Sequence, residues 1–237
     1  MAGDNENAVG TGDTGGAGGA ADTGGDRGTG TDSGVGTVDA TILKSARAEG
    51  SYAALTFDDG PNPPHTPRLL EVLRKHGVRA VFCLVGEQAE AHPETVRAIV
   101  ADGHVLGNHS MHHKDLQHWS PDEVREDLLR ANAAIRAAVP GVPIPYFRAP
   151  YGYWGVSAEV AAGLGMLPLG WRLDVRDFEP PGTEVLAGLL EDGMTPGAVA
   201  LLHDGGGDRS QTVDAVDLLV PRLASRGWTF GTPGHEN

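Results

Sequence analysis

The chain has 237 residues, 40% of them hydrophobic but only 5% aromatic, and a formal net charge of -14. Its length suits one large domain or two small ones, and its acidity argues against nucleic acid or an anionic membrane as the main partner. The single cysteine, Cys83, excludes an internal disulfide framework, and no run of about 18 apolar residues offers a membrane span.

Residues 1–40 carry seven acids against one arginine, and residues 1–37 hold 13 of the 35 glycines. Such a segment has too little apolar surface to offset its ordering entropy, so 1–40 reads as a disordered acidic tail and 41–237 as the folded domain. The opening "MAGDNENAVG" has neither a basic n-region nor an apolar h-region. Without a secretory signal the expected location is cytoplasmic, and secreted if the start is mis-set.

From residue 40 onward, short apolar runs alternate with amphipathic stretches. Strands are expected at 52–57, 79–85, 104–109, 145–149, 166–171, 198–203 and 227–230. Between them, "TPRLLEVLRKHG" opens on Thr66-Pro67 and closes on Gly77. "SPDEVREDLLRANAAIRAAVPG" begins with a capping box of Ser120 and Glu123 and stops before Pro140. "QTVDAVDLLVPRLASRG" carries the last helical pattern, with a kink expected at Pro221. Alternating strands and helices imply an α/β fold with a parallel sheet, here seven or eight units in a closed or nearly closed barrel.

Strand after strand ends in polar residues: "TFDD", "GNHSMHH", "FRAPYG", "WRLDVRD" and "LLHD". In β/α barrels such ends converge on one rim and build the site. His109 and His113, four apart, face the same way if they lie on a helical turn, and can hold one metal ion. A carboxylate from Asp58 or Asp59 completes a two-histidine, one-carboxylate set with open positions, the usual form of a catalytic centre. Successive residues at a strand end point in different directions, so one aspartate can bind metal while its neighbour serves as general base. His203 ends the run "AVALL" in position to act as a general acid oriented by Asp177. Arg148 can anchor a carboxylate through two parallel hydrogen bonds. Cys83, within "AVFCLV", reads as a buried structural thiol.

"TFDDGP", "HSMHH", "RAPYG", "DVRDF" and "LLHD", in this order, resemble the five motifs of the polysaccharide deacetylases, the NodB-homology carbohydrate esterases of family 4. The resemblance spans about residues 50–230. It implies a distorted (β/α) barrel of about seven parallel strands that removes acetyl groups from N-acetylated sugars with one divalent metal ion, usually Zn2+ with Co2+ able to substitute. By matching motif, Asp58 resembles the base and Asp59, His109 and His113 the metal ligands. Arg148 would hold Asp58, and the Tyr151 N–H would face the oxyanion. His203 would be the acid tuned by Asp177, with Phe178 and Leu201 lining the acetyl pocket. Two positions depart from the family pattern: Ala149 replaces a usual Pro and Phe178 a usual Trp. His112 reads as an exposed bystander. Trp154 and Trp171 can stack on sugar faces or pack in the core.

The expected partner is therefore an acetylated sugar, with no nucleic acid and no membrane. The leading activity is N-deacetylation of an N-acetylglucosamine oligosaccharide or small glycoside. Its rivals are an O-acetyl esterase on xylan-like sugars and a catalytically silent carbohydrate-binding barrel.

Overall fold

A computed structural model describes residues 39–46, 50–179 and 181–234. The tail expected over 1–40 lies outside these residues except for Asp39 and Ala40. Among these residues eight strands form one parallel sheet: β1 (Tyr52–Asp58), β2 (Val81–Leu84), β3 (Val105–Asn108), β4 (Tyr146–Phe147), β5 (Leu167–Pro168), β6 (Leu173–Asp174), β7 (Ala198–His203) and β8 (Thr229–Phe230). Their spatial order is β5-β4-β3-β2-β1-β7-β6, with β8 also paired to β1. β5 and β6 are both edges. An extended segment runs beside the sheet, with Leu43 bridged to Leu169 just after β5 and Ser45 to Ala198 at the start of β7. Among the described residues no β5–β6 pair closes the sheet, so the barrel is distorted and open on that side.

Among the described residues seven α-helices fill the connections: α1 (Thr66–His76), α2 (Gly86–Ala91), α3 (Pro93–Ala101), α4 (Pro121–Ala138), α5 (Ser157–Gly163), α6 (Thr183–Gly193) and α7 (Ser210–Ala224). The capping box expected at Ser120 is present: its hydroxyl accepts from the Glu123 N–H at 3.4 Å and its own N–H donates to Glu123 Oε2 at 2.8 Å. Pro221 lies inside α7. No described helix is long and apolar enough to cross a membrane.

The period-two alternation of β1 divides the core and places the site. Ala53, Leu55 and Phe57 join the large cluster under the helices, whereas Ala54 joins a smaller cluster with Val81, Cys83, Tyr146 and Val199. Thr56 and Asp58 share the face of Ala54. The β1–β7 register pairs Asp58 with His203 and the β1–β2 register pairs it with Cys83. Cys83 is fully buried and burial, with Asp58 adding to it, raises its thiol pKa well above the ordinary range, in keeping with a structural role.

Candidate active site

Asp58 is the last residue of β1 and is buried. Arg148 NH1 donates to its Oδ1 at 2.7 Å and to Thr56 Oγ1 at 2.9 Å. The expectation of a two-bond Arg–carboxylate pair is corrected here. Arg148 spends its other donors on backbone carbonyls, Nε on Leu169 at 2.9 Å and NH2 on Gly170 at 3.0 Å. The guanidinium is fully buried, with the Trp171 ring 5.7 Å away, so it is fixed from several sides. Asp58 Oδ2 is left facing His109, 3.7 Å from Nε2.

Asp59 turns the other way because its backbone is left-handed, φ 73°. Its Oδ1 lies 3.4 Å from His109 Nε2 and 3.1 Å from His113 Nε2. One donor atom from each of the three residues falls within 4.8 Å of the others. Asp59 Oδ1 is buried and accepts no hydrogen bond, so lone pairs of all three groups face a common centre. This donor set fits a single divalent cation with open coordination positions. Burial opposes the charge on Asp59, but the two imidazoles outweigh it and hold its pKa far below the carboxylate range. Burial likewise opposes a charge on His109, yet Asp58 and Asp59 together raise its pKa.

His109 and His113 do not share a helical turn, contrary to the sequence expectation. They occupy a loop after β3 in which Ser110 (φ 67°) and His113 (φ 52°) are left-handed. Side chains hold that shape where a helical ladder would not. Asn108 Oδ1 accepts from the Ser110 N–H at 2.8 Å, Asp127 Oδ1 from the Met111 N–H at 2.8 Å, and Ser110 Oγ from the His113 N–H at 3.0 Å. His109 Nδ1 lies 2.8 Å from the Arg148 carbonyl, which places a proton on Nδ1 and frees Nε2 as a ligand. His112, read as an exposed bystander, is half-buried beside Glu87. Its Nδ1 is 2.8 Å from Glu87 Oε2.

Across the cavity, His203 Nδ1 is 2.6 Å from Asp177 Oδ1, and the His203 N–H donates to Asp177 Oδ2 at 2.9 Å. Burial disfavours protonated His203, but Asp177, with Asp58 and Asp59 adding, outweighs it and raises the pKa above 6.5. Phe178 packs edge-on against the His203 ring at 5.6 Å, and Arg176 lies over the outer face of Phe178 at 4.9 Å. Phe178 and Leu201 both line the cavity of about 390 Å³ in front of these groups. Tyr151 is left-handed, φ 59°, and its N–H donates to no group among the described residues. Trp154 packs edge-on against the core residue Phe147, whereas Trp171 lines the cavity.

Several buried participants escaped sequence reasoning because Thr, Asn and Asp of this kind have no distinctive spacing. Thr212 Oγ1 donates to Asp177 Oδ2 at 2.9 Å, bracing the orienting carboxylate from α7. Asp204 is fully buried and Thr66 Oγ1 donates to its Oδ2 at 2.5 Å. Burial, with Asp59 and Asp58 adding repulsion against the Thr66 bond, pushes its pKa up to about 7. Its place directly after His203 in "LLHD" was the one available signal.

A parallel α/β barrel with an Asp–His–His cluster at its strand ends, an arginine-held carboxylate on one side and a His–Asp pair opposite, is the architecture of a hydrolytic enzyme. The chain belongs to the polysaccharide deacetylase family, whose model matches residues 45–168. It is 39% identical over 185 residues to a chitooligosaccharide deacetylase of Sinorhizobium fredii, covering 73% of this chain and 86% of that one. Among solved structures it is similar to a family 4 carbohydrate esterase from Streptomyces lividans in complex with acetate (TM-score 0.71, 31% identity, 78% of this chain and 94% of that one). It is also similar to a CE4 family pseudoenzyme from Bacillus anthracis (TM-score 0.75, 27% identity, 82% and 68%). Since the fold supports both an esterase and a pseudoenzyme, the side chains have to carry the functional reading.

Proposed function

We propose that this chain hydrolyses the acetamido group of an N-acetylglucosamine-containing oligosaccharide or small glycoside to the amine and acetate. One observation carries the reading: the two adjacent aspartates are held apart in role, Asp58 by Arg148 and Asp59 by the imidazoles of His109 and His113. Asp59, His109 and His113 would hold a divalent cation, with Zn2+ the proposed ion and Co2+ a substitute, which would supply Lewis acidity to the acetyl carbonyl and make water more acidic.

The chain's own residues do the rest. Asp58 takes a proton from the attacking water through Oδ2, the oxygen that Arg148 leaves free. As the water oxygen bonds to the acetyl carbon, the Tyr151 N–H faces the oxygen that gains charge. The C–N bond then breaks while His203 delivers its proton to the departing nitrogen. Asp177 keeps His203 protonated and oriented for that delivery. Phe178 and Leu201 close around the methyl group. A silent binding barrel has no use for a proton donor set opposite a base, which favours the enzyme.

The test is a parallel assay of the metal-loaded protein on N-acetylglucosamine oligosaccharides, small acetamido-glycosides and acetylxylan, with products read by mass spectrometry. Loss of acetyl groups from the acetamido sugars is expected. Release from acetylxylan alone would instead make the chain an O-acetyl esterase, and no release from any substrate would support the silent barrel.

A further inference from the structure

Arg148 holds Asp58 only as firmly as its own acceptors are held. Two of them, Thr56 Oγ1 and Asp58 Oδ1, stand on β1, which is paired with β2 on one side and β7 on the other. The other two are the carbonyls of Leu169 and Gly170, between β5 and β6. Those strands do not pair with each other among the described residues, so no ladder fixes that stretch on its open side. The segment 41–46 fixes it instead. Leu43 donates its N–H to the Pro168 carbonyl at 2.8 Å and accepts from the Gly170 N–H at 2.8 Å.

The peptide group that joins Leu169 to Gly170 is the link. It is planar and trans, so its C=O and N–H point in opposite directions. The N–H is bonded to Leu43 and the C=O to Arg148 Nε. A tilt that breaks one bond therefore strains the other. The approach is close: a Cβ added at Gly170 would sit 2.8 Å from Ile42 Cγ2 and 3.1 Å from Lys44 Cγ, so glycine is needed there. The segment is anchored at its far end as well, where the Ala46 N–H donates to the Gly197 carbonyl at 2.8 Å. Leu43 and Trp171, the ring beside the Arg148 guanidinium, pack against the same small core cluster.

We propose that residues 41–46 are a strap that positions the catalytic base, with Leu43 aiming Arg148 at Asp58 through the Leu169–Gly170 peptide. The effect on rate rests on the deacetylase reading, and the coupling itself does not. Leu43 touches neither Asp58 nor the donor cluster and is a positioning residue.

Leu43→Pro, made in the whole chain and loaded with metal, removes the donor to Pro168. It should lower kcat on N-acetylglucosamine oligosaccharides about fivefold, the worth of one ordinary hydrogen bond, with KM and metal content unchanged. Arg148→Lys keeps a charge beside Asp58 but loses the planar fork that reaches both carbonyls. In that background Leu43→Pro should cost nothing further. A readout without turnover is hydrogen exchange of the Arg148 Nε–H, followed by NMR on arginine-labelled protein and assigned by its loss in Arg148→Lys. Leu43→Pro should speed that exchange about fivefold. Should Leu43→Pro fail to fold, Gly170→Ala displaces the strap from the other side and is read in the same way. If wild type deacetylates nothing yet exchange quickens on substitution, the deacetylase reading fails and the strap stands. Unchanged exchange would overturn the strap, as would an unchanged kcat in an active protein or an equal fall in kcat in the Arg148→Lys background.

Discussion

The two ends of the barrel meet the same backbone demand differently: one with glycine alone, the other with non-glycine residues as well. At the amino ends of seven of the eight strands a left-handed residue turns the chain inward, and each one is glycine: Gly50, Gly77, Gly103, Gly141, Gly165, Gly197 and Gly227. At the carboxyl ends glycines such as Gly152 and Gly206 share that region with five non-glycine residues: Asp59, Ser110, His113, Tyr151 and Arg176. Such residues cost about 1–3 kcal/mol each unless their surroundings impose the conformation. One end is therefore built for stability. The other accepts strain because it needs a carboxylate, an imidazole or a freed N–H in a particular direction, and its side-chain braces hold those directions.

Breaking the rim should produce the largest effects. Asp59→Asn or His109→Ala removes one of three donors, so elemental analysis should show the metal lost and activity reduced to background. His203→Ala leaves the donors intact and should retain metal while losing on the order of 10² or more in kcat.

A smaller effect sharpens the view that the rim is tuned electrostatically. Because Asp177 holds the His203 pKa above 6.5, the acid stays protonated to higher pH and activity is lost as pH rises through that raised value. Asp177→Asn should move the alkaline limb of kcat/KM to lower pH. A limb that stays in place would assign it to another group.

The smallest effects contrast the two ends directly. An added Cβ at Gly77 meets nothing within 4 Å, so Gly77→Ala isolates the backbone cost. Denaturant titration should show a loss of about 1 kcal/mol with kcat unchanged. Tyr151→Gly should do the reverse. It relieves a left-handed residue that is 60% exposed, so stability is kept or raised, while kcat/KM falls as the His113 ring loses its edge contact at 4.6 Å.

All seven expected strands are present, because apolar runs bounded by turn residues announce buried parallel strands. β6 was seen only as a polar ending, "WRLDVRD", since two residues of strand carry no period. α2, α3, α5 and α6 went unread; three of them are nine residues or shorter. The site residues were legible because charged and imidazole side chains at strand ends are rare enough to stand out. Their support was not. Thr56, Ser110, Asn108, Asp127 and Thr212 act through single hydrogen bonds that depend on tertiary placement. The His109–His113 loop shows the limit most clearly: a four-residue spacing suits a helix and this strained loop equally well.

The division of labour between Asp58 and Asp59 is tested most directly by one variant, Asp58→Asn, measured for metal content and kcat on the same preparation. Arg148 and the imidazoles of His109 and His113 place Asp58 outside the donor set, so the variant should hold as much metal as wild type and lose on the order of 10² or more in rate. Loss of the metal together with activity, or a rate close to wild type, would contradict the assignment of the two aspartates.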